Sequence, residues 1–490
     1  VEREHRGGIP FEDEEVSMAR TEWVSGRDGA FFLLESATTP YHAGGLILLE
    51  GPAIAQDELL AAVARKLALL PRFRQRLAYP ALVNRPVWID DPHFDLEFHV
   101  RRTSLPDPGS GEQLSHVVAG LMEEHVSRFR PLWELWMIDG LATGDCAVLL
   151  KMHHAMADGV TGARDVMLLF DEQPARRGAR SPTIERTEPW LPRPAPGPAG
   201  LLADAAVRLG SRPAGALAAL GRAARDPLGT AASALGFAEI AAAGLRPAPR
   251  SRINAPIGPN RTFDFVTASL RDVKDVKDTL GGTVNDVVVA VTAGGLRHWM
   301  IGLGEPVDGI ELRALIPISQ RRPGRGDDDH AGNLVTGVLA PLPVGEPDPV
   351  ARLHAVGAAM DRAKHSRQAL GASALLGLPA ILPPAVARRV ADIQRVQRFF
   401  NLSLTNVPGP PAPLYLCGRA VTDMIPAPPL SANTGLVVGA LSYAGRMSFG
   451  MIADPETVPD VHLIAEGIEK SLFELIDAAS VAARSGGDRR

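Results

Sequence analysis

Two adjacent histidines, His153 and His154, with Asp158 four residues after the second and Gly159 next, are the residues here best suited by type and spacing to acid–base chemistry. An imidazole titrates near neutrality, so it can take a proton from a reacting group and return it. Neighbouring side chains at a strand end point to opposite sides, so one histidine is expected to face a cavity and the other to face packing. The plainer alternative is a pair of satisfied polar groups at a helix entry, with Asp158 as a simple cap. A metal site is not expected, because Asp158 is the only nearby third ligand. The run Asp327-Asp328-Asp329-His330 lacks further spaced ligands and reads as a solvated loop. A serine-hydrolase reading is weakened by the absence of a G-x-S-x-G elbow.

The elements that must hold these groups can be read around them. Cys146–Met152 is almost continuously apolar, as expected of a strand buried on both faces. Beyond it, Asp158-Gly159 opens a segment, Val160–Phe170, with apolar residues at roughly helical spacing. The histidines therefore fall in a strand-to-helix connection. Upstream, Ser25–Phe32 reads as a short helix, Tyr41–Glu50 as a strand, Asp57–Leu69 as a helix closed by a basic cluster, Val87–Val100 as strand-rich and Leu114–Phe129 as an amphipathic helix. In the second half, Phe263–Leu270, Ala314–Ser319, Phe399–Thr405, Gly435–Ser442 and Met447–Asp454 read as strands. Val287–Met300 reads as an apolar helix with Asn285 or Asp286 at its N-terminus.

At 490 residues the chain exceeds the size at which a single core keeps growing. A Pro/Ala/Arg-rich, partly helical crossover at 191–252 divides it into 1–190 and 253–490. The formal net charge of −5 and the scattered basic residues argue against nucleic acid as a partner. The two cysteines, Cys146 and Cys417, form neither a disulfide framework nor a zinc spacing, and Val1–Val16 lacks the apolar core of a secretory signal, so a reducing cytoplasm is expected. The longest uncharged run, Ala369–Ala387, is broken by Pro379, Pro383 and Pro384, which leaves buried helices or an interfacial patch.

His153-His154-Ala155-Met156-Ala157-Asp158-Gly159 matches the H-H-x-x-x-D-G motif of CoA-dependent acyltransferases. Pro131-Leu132-Trp133-Glu134, Asn285-Asp286-Val287-Val288 and Thr405-Asn406-Val407-Pro408-Gly409-Pro410 follow the order of the bacterial wax ester synthase/diacylglycerol acyltransferase family, which the chain resembles over nearly its whole length. The resemblance implies a two-domain α/β fold of the chloramphenicol acetyltransferase kind, with mixed sheets and an interdomain tunnel. It implies His154 as the general base and His153 and Asp158 as its companions, with Asp158 held by an arginine, for which Arg74 is the candidate. It implies loop support from Gly159, Asn285 and Asp286. Substrate contacts would come from Pro131, Leu132, Trp133, Thr405 and Asn406, with Thr405 standing where the family usually has serine. Acyl-CoA would be a co-substrate, with no bound cofactor. The acceptor would be diacylglycerol or a long-chain fatty alcohol, giving triacylglycerol or wax ester. A specialised lipid or polyketide alcohol, and a non-catalytic lipid-binding role, remain as alternatives. Such substrates imply peripheral association with a membrane or lipid-droplet surface. Direct transfer is expected: Cys146 stands seven residues before His153, about 26 Å from His154 along an extended strand, too far to be the nucleophile.

Overall fold

The computed structural model describes residues 22–79, 86–156, 166–174, 190–197, 199–202, 204, 247–319, 335–365, 389 and 398–487. Asp158 and Gly159, the start of the expected Val160 helix, most of the crossover, the loop Gln320–His330 and the run Ala369–Ala387 lie outside the described residues.

The first large sheet runs in the order β12-β13-β2-β7-β6-β5, built from β2 (His42–Leu49), β5 (Val100–Ser104), β6 (Trp133–Asp139), β7 (Cys146–His153), β12 (Tyr415–Leu416) and β13 (Arg419–Ala427). β7 lies between β2 and β6, antiparallel to both, and all eight of its residues are buried. Its apolar run follows from that position. Cys146, Val148, Leu150 and Met152 pack into one core with Leu59 and Val63, whereas Ala147 and Leu149 pack into another with Leu114, Val118 and Met122. Full burial of each large aliphatic side chain contributes roughly 1.5–3 kcal/mol, so a strand covered on both faces has no polar alternation. Beside this sheet, β1 (Glu22–Trp23), β4 (Val87–Asp90) and β3 (Gln75–Ala78) form a small antiparallel sheet.

The second large sheet has the order β10-β9-β11-β14-β15-β8, from β8 (Thr262–Ser269), β9 (Leu312–Ser319), β10 (Val335–Leu342), β11 (Leu402–Pro408), β14 (Leu436–Tyr443) and β15 (Arg446–Ala453). β11 runs parallel to β9 and β14, while the other pairings are antiparallel. The described helices are α1 (Gly26–Leu34), α2 (Gln56–Lys66), α3 (Leu96–His99), α4 (Gly111–Glu123), α5 (Leu270–Leu280), α6 (Val284–Gly302), α7 (Pro349–His365) and α8 (His462–Gly487). α6 is apolar nearly all round and buried from Asp286 to Leu296, as expected of a helix inside a core. Glycine lets it cross α8 closely: a Cβ on Gly295 would stand 2.6 Å from Ile468 Cγ1 and 2.8 Å from the Ile464 carbonyl oxygen.

β13 comes from the second half of the chain, yet it pairs with β2 in the sheet that holds the histidines. One core cluster accordingly contains Leu46 and Leu149 together with Ile425, Val437 and Ile452. The sheets meet at Pro426, where a Cβ on Gly450 would lie 1.8 Å from the Pro426 carbonyl oxygen and one on Gly439 2.9 Å from Pro426 Cγ.

Several expected boundaries move. The Leu114–Phe129 helix begins earlier, behind a Ser110/Gln113 capping box, and ends at Glu123. It stops where side chains from the sheet take its last carbonyls: Lys151 Nζ donates to Leu121 (2.7 Å), and His42 Nε2 lies 2.9 Å from the Met122 carbonyl. Val87–Val100 is a strand only to Asp90; Asp95 then caps the single turn α3. The N-cap of α6 is Thr283. Asp286 fills the third position of its capping box, and Asn285 lies within the first turn.

Candidate active site

The short helix α1 supplies what surrounds the histidines. Ser25 caps it by accepting from the Asp28 N–H at 3.1 Å, and the Glu35 N–H closes its end on the Phe31 carbonyl. Consecutive phenylalanines near that end reach different partners. The Phe31 ring lies 4.3 Å from His154 at 30°, and Phe32 stacks on His153 at 4.4 Å and 9°. Tyr41, 5.6 Å from Phe31, lends its carbonyl to the His154 N–H (2.8 Å), and its hydroxyl lies 3.3 Å from Ser431 Oγ of the second half. Arg261, also from the second half, donates to the Thr38 carbonyl and takes Glu123 Oε1 on its main-chain N–H (2.7 Å). The strap entering β2 is thereby tied to both halves of the chain.

His153 ends β7 opposite His42 and is buried. Its main-chain N–H donates to the Leu132 carbonyl, and its own carbonyl accepts from the Met156 N–H, both at 2.9 Å. Its Nδ1 accepts the Ala155 N–H at 3.1 Å. Nε2 is buried without a hydrogen bond and faces Glu35 Oε2 at 3.7 Å. Glu35, ion-paired with Arg128, would be raised by burial alone, but its interactions with His153 and Arg128 outweigh that and bring its carboxyl down to about 2.

His154 occupies the second position of the turn. Its Nδ1 is buried without a partner. Burial lowers the imidazole from the usual 6.5 to about 4; contact with a main-chain carbonyl of the same residue opposes the shift and the neighbouring His153 adds to it. The ring is therefore neutral at physiological pH, the form able to accept a proton.

Behind the histidines, on the same face of β7 as His153, Lys151 is fully buried. Besides its bond to the Leu121 carbonyl, its Nζ lies 3.6 Å from Glu134 Oε2, which also accepts from Trp136 Nε1 at 3.1 Å. Cys146, at the opposite end of β7 from His153, pairs with Leu49, and burial raises its thiol pKa.

The other expected residues divide into groups. Pro131, Leu132 and Trp133 adjoin the end of β7, where Trp133 pairs with Met152. Trp133 is wholly enclosed: its indole donates to the Phe73 carbonyl (2.8 Å), and its ring stacks on His99 at 4.7 Å. Asn285 and Asn406, 121 residues apart, are brought together, with Nδ2 of Asn406 3.4 Å from Asn285 Oδ1. Thr405 precedes Asn406 on β11, opposite Gly439. Among the described residues no hydrogen bond joins Asn285, Thr405 or Asn406 to either histidine. Asp286 is spent on the cap, its Oδ2 taking the Thr283 N–H and hydroxyl, both at 2.8 Å. The Arg74 guanidinium lies 4.7 Å from the Trp190 ring, and its buried Nε has no described partner; burial lowers its pKa and Asp90 opposes this. Its expected partner Asp158, like Gly159, is outside the described residues. Among the described residues no group of three or more His, Cys, Asp or Glu could hold a metal ion.

Phe31, Phe32, Glu35, Tyr41 and Arg128 are the site residues that sequence reasoning did not find. The Ser25–Phe32 helix was legible. That its end would meet residues some 120 positions later, however, leaves no local pattern.

Residues 24–288 match the wax ester synthase/diacylglycerol acyltransferase catalytic domain, and residues 331–476 match the C-terminal domain of that family. A probable diacylglycerol O-acyltransferase of Mycobacterium tuberculosis is 36% identical over 436 residues, covering 88% of this chain and 90% of its own. A second from that organism is 31% identical over 468 residues, covering 93% and 98%. Among solved structures, the wax ester synthase/diacylglycerol acyltransferase of Marinobacter aquaeolei aligns with a TM-score of 0.64 at 27% identity, covering 92% of this chain and 98% of that one. The trichothecene 15-O-acetyltransferase of Fusarium sporotrichioides aligns at 0.58 with 12% identity, covering 94% and 95%. That last likeness bears on fold alone, and with the first it places the two mixed sheets in the CoA-dependent acyltransferase fold.

Proposed function

The chain belongs to the wax ester synthase/diacylglycerol acyltransferase family and is an acyltransferase, and from that premise we propose that it moves a long-chain acyl group from acyl-CoA to the hydroxyl of diacylglycerol, with a long-chain fatty alcohol as second acceptor. The observation that carries the mechanism is His154: a neutral imidazole on the turn after the central strand, its main-chain N–H anchored on the Tyr41 carbonyl and its ring against Phe31. As the acceptor oxygen attacks the thioester carbonyl, His154 takes the hydroxyl proton. When the tetrahedral intermediate collapses, the carbon–sulfur bond breaks and the imidazolium returns the proton to the departing coenzyme A sulfur. A base in this role contributes about 10²–10⁴-fold. No covalent acyl-enzyme and no resident cofactor enter this scheme.

In the same proposal, Asp158 and Gly159 shape the loop after the histidines with Arg74 as the cation partner, and Asn285 with Asn406 orders the second-half wall of an interdomain tunnel. Thr405 and the Pro131–Trp133 segment contribute to substrate contacts. Trp133 acts there by packing, since its ring is enclosed. Acceptors of this kind dissolve in lipid, which supports peripheral attachment to a cytoplasmic membrane face or lipid droplet. No described helix is long and apolar enough to cross a membrane. Phe129, 86% exposed between Arg128 and Arg130 on the loop before β6, is a described side chain suited to such attachment.

The test is incubation of purified protein with labelled palmitoyl-CoA and either dioleoylglycerol or hexadecanol, followed by identification of the product. Labelled triacylglycerol or wax ester is expected. Ester formed only with a polyketide or other specialised alcohol would replace the acceptor, and no ester with any alcohol would remove the proposal.

A further inference from the structure

We propose that Glu35 is a positioning residue for acyl transfer, acting through His153 to hold the turn that carries His154. The inference rests on the reading of His154 as the base. Glu35 itself sits at the end of α1, its side chain only 5% exposed, with Arg128 on one side and His153 Nε2 3.7 Å away on the other.

The position of the His153 proton decides whether the turn holds. Nδ1 accepts the Ala155 N–H, so in the neutral ring the proton belongs on Nε2. In that buried setting the Glu35 carboxylate faces the Nε2–H and favours this tautomer. Phe32, stacked flat on the ring, prevents it from swinging to another partner. The bond from the Met156 N–H to the His153 carbonyl closes the turn, with His154 at its second position. Without the carboxylate, the proton is free to move to Nδ1, where it would face the Ala155 N–H donor to donor. That bond would be lost, the turn would loosen, and the His154 ring would leave its place beside Phe31. Arg128 holds the carboxylate in position and so belongs to the same chain of contacts.

The experiment compares wild type with Glu35→Leu, Arg128→Leu and His154→Ala in steady-state transfer of labelled palmitoyl-CoA, with ¹⁵N imidazole spectra recorded for the first three. Glu35→Leu should lower kcat tenfold or more, leave the KM for acyl-CoA within twofold, and shift the His153 signals from the Nε2–H pattern toward Nδ1–H. Arg128→Leu, at a part-exposed site, should move both readouts the same way by a smaller amount and provides the reading if Glu35→Leu does not fold. Unchanged kcat in both variants overturns the inference, as does a fall in kcat with the His153 tautomer unmoved, since a merely structural role would leave that signature alone. An inactive His154→Ala beside a fully active Glu35→Leu sinks only the role of Glu35. An active His154→Ala sinks the base itself.

Discussion

Replacing Lys151 by methionine should destabilise the first sheet far more than a surface lysine change would. Lys151 is 0% exposed and Glu134, its cross-strand neighbour, is 5% exposed; they face each other across β6 and β7 at 3.6 Å. Methionine fills much of the same volume but leaves the Glu134 carboxylate without its cation and the Leu121 carbonyl without its side-chain donor. Removing one member of a buried pair typically costs about 3–5 kcal/mol. Because strands and core side chains of both halves interlock, the 490 residues should melt as one unit, at about 1 °C per kcal/mol, and the melting midpoint should drop by about 3–5 °C. The assay is a thermal melt of wild type, Lys151→Met, Glu134→Leu and the double variant at one scan rate. If the cost is that of an uncompensated charge, the double variant should lie closer to wild type than the worse single variant, because apolar replacement of a whole buried pair is often neutral. A Lys151→Met midpoint within about 2 °C of wild type, or a double variant whose loss is the sum of the two singles, would show that the Lys151–Glu134 pair does not hold the sheet in this way.

The His154 imidazole is lowered to about 4 from 6.5, so kcat/KM should stay nearly flat from pH 7 to about 5 and bend near 4; a bend near 6.5 would mean that the base is not this desolvated ring. The same shift acts on stability: between pH 6.5 and 4 the unfolded chain binds the proton that folded His154 refuses, so stability falls as pH drops through that window, and His154→Gln should flatten this limb in pH-dependent melts. Glu35 adds a second limb, since its contribution is complete above its unperturbed 4.5 and is lost as pH falls toward 2. Phe129→Asp should reduce co-sedimentation with vesicles of 70% phosphatidylcholine and 30% phosphatidylglycerol by about threefold or more, while transfer to a water-soluble short-chain alcohol stays unchanged. Equal sedimentation of wild type and variant would discard that loop as a point of attachment.

What the sequence disclosed was governed by how locally each feature is encoded. The Cys146–Met152 run was readable as a strand because burial on both faces removes polar alternation, and the histidines at its end follow directly. The start of α6 was readable to within two or three residues, because its apolar run is local, although the cap falls on Thr283 rather than on Asn285 or Asp286. The end of α4 was not, because its last carbonyls are taken by His42 and Lys151, one lying before the helix and the other after it. Nothing in Arg419–Ala427 signals that this strand joins β2 rather than a sheet of its own half. Its partner lies more than 370 residues earlier, and its apolar pattern would suit either place. The contact of Glu35 with His153 is hidden in the same way, since it depends on where α1 packs, and no spacing in the chain records that.

Whether His154 is the base can be read from single-turnover transfer of labelled palmitoyl-CoA to dioleoylglycerol with His154→Ala and His153→Ala beside wild type, each with a melting curve and an acyl-CoA dissociation constant. His154→Ala should lose at least about 10²-fold in rate with acyl-CoA binding and melting nearly intact, because the lost interaction belongs to the transition state. His153→Ala should lose less rate and more stability, since its ring is packed against Phe32 and bonded to Ala155. Full transfer by His154→Ala, or equal loss of rate in both variants at unchanged melting, would contradict the account.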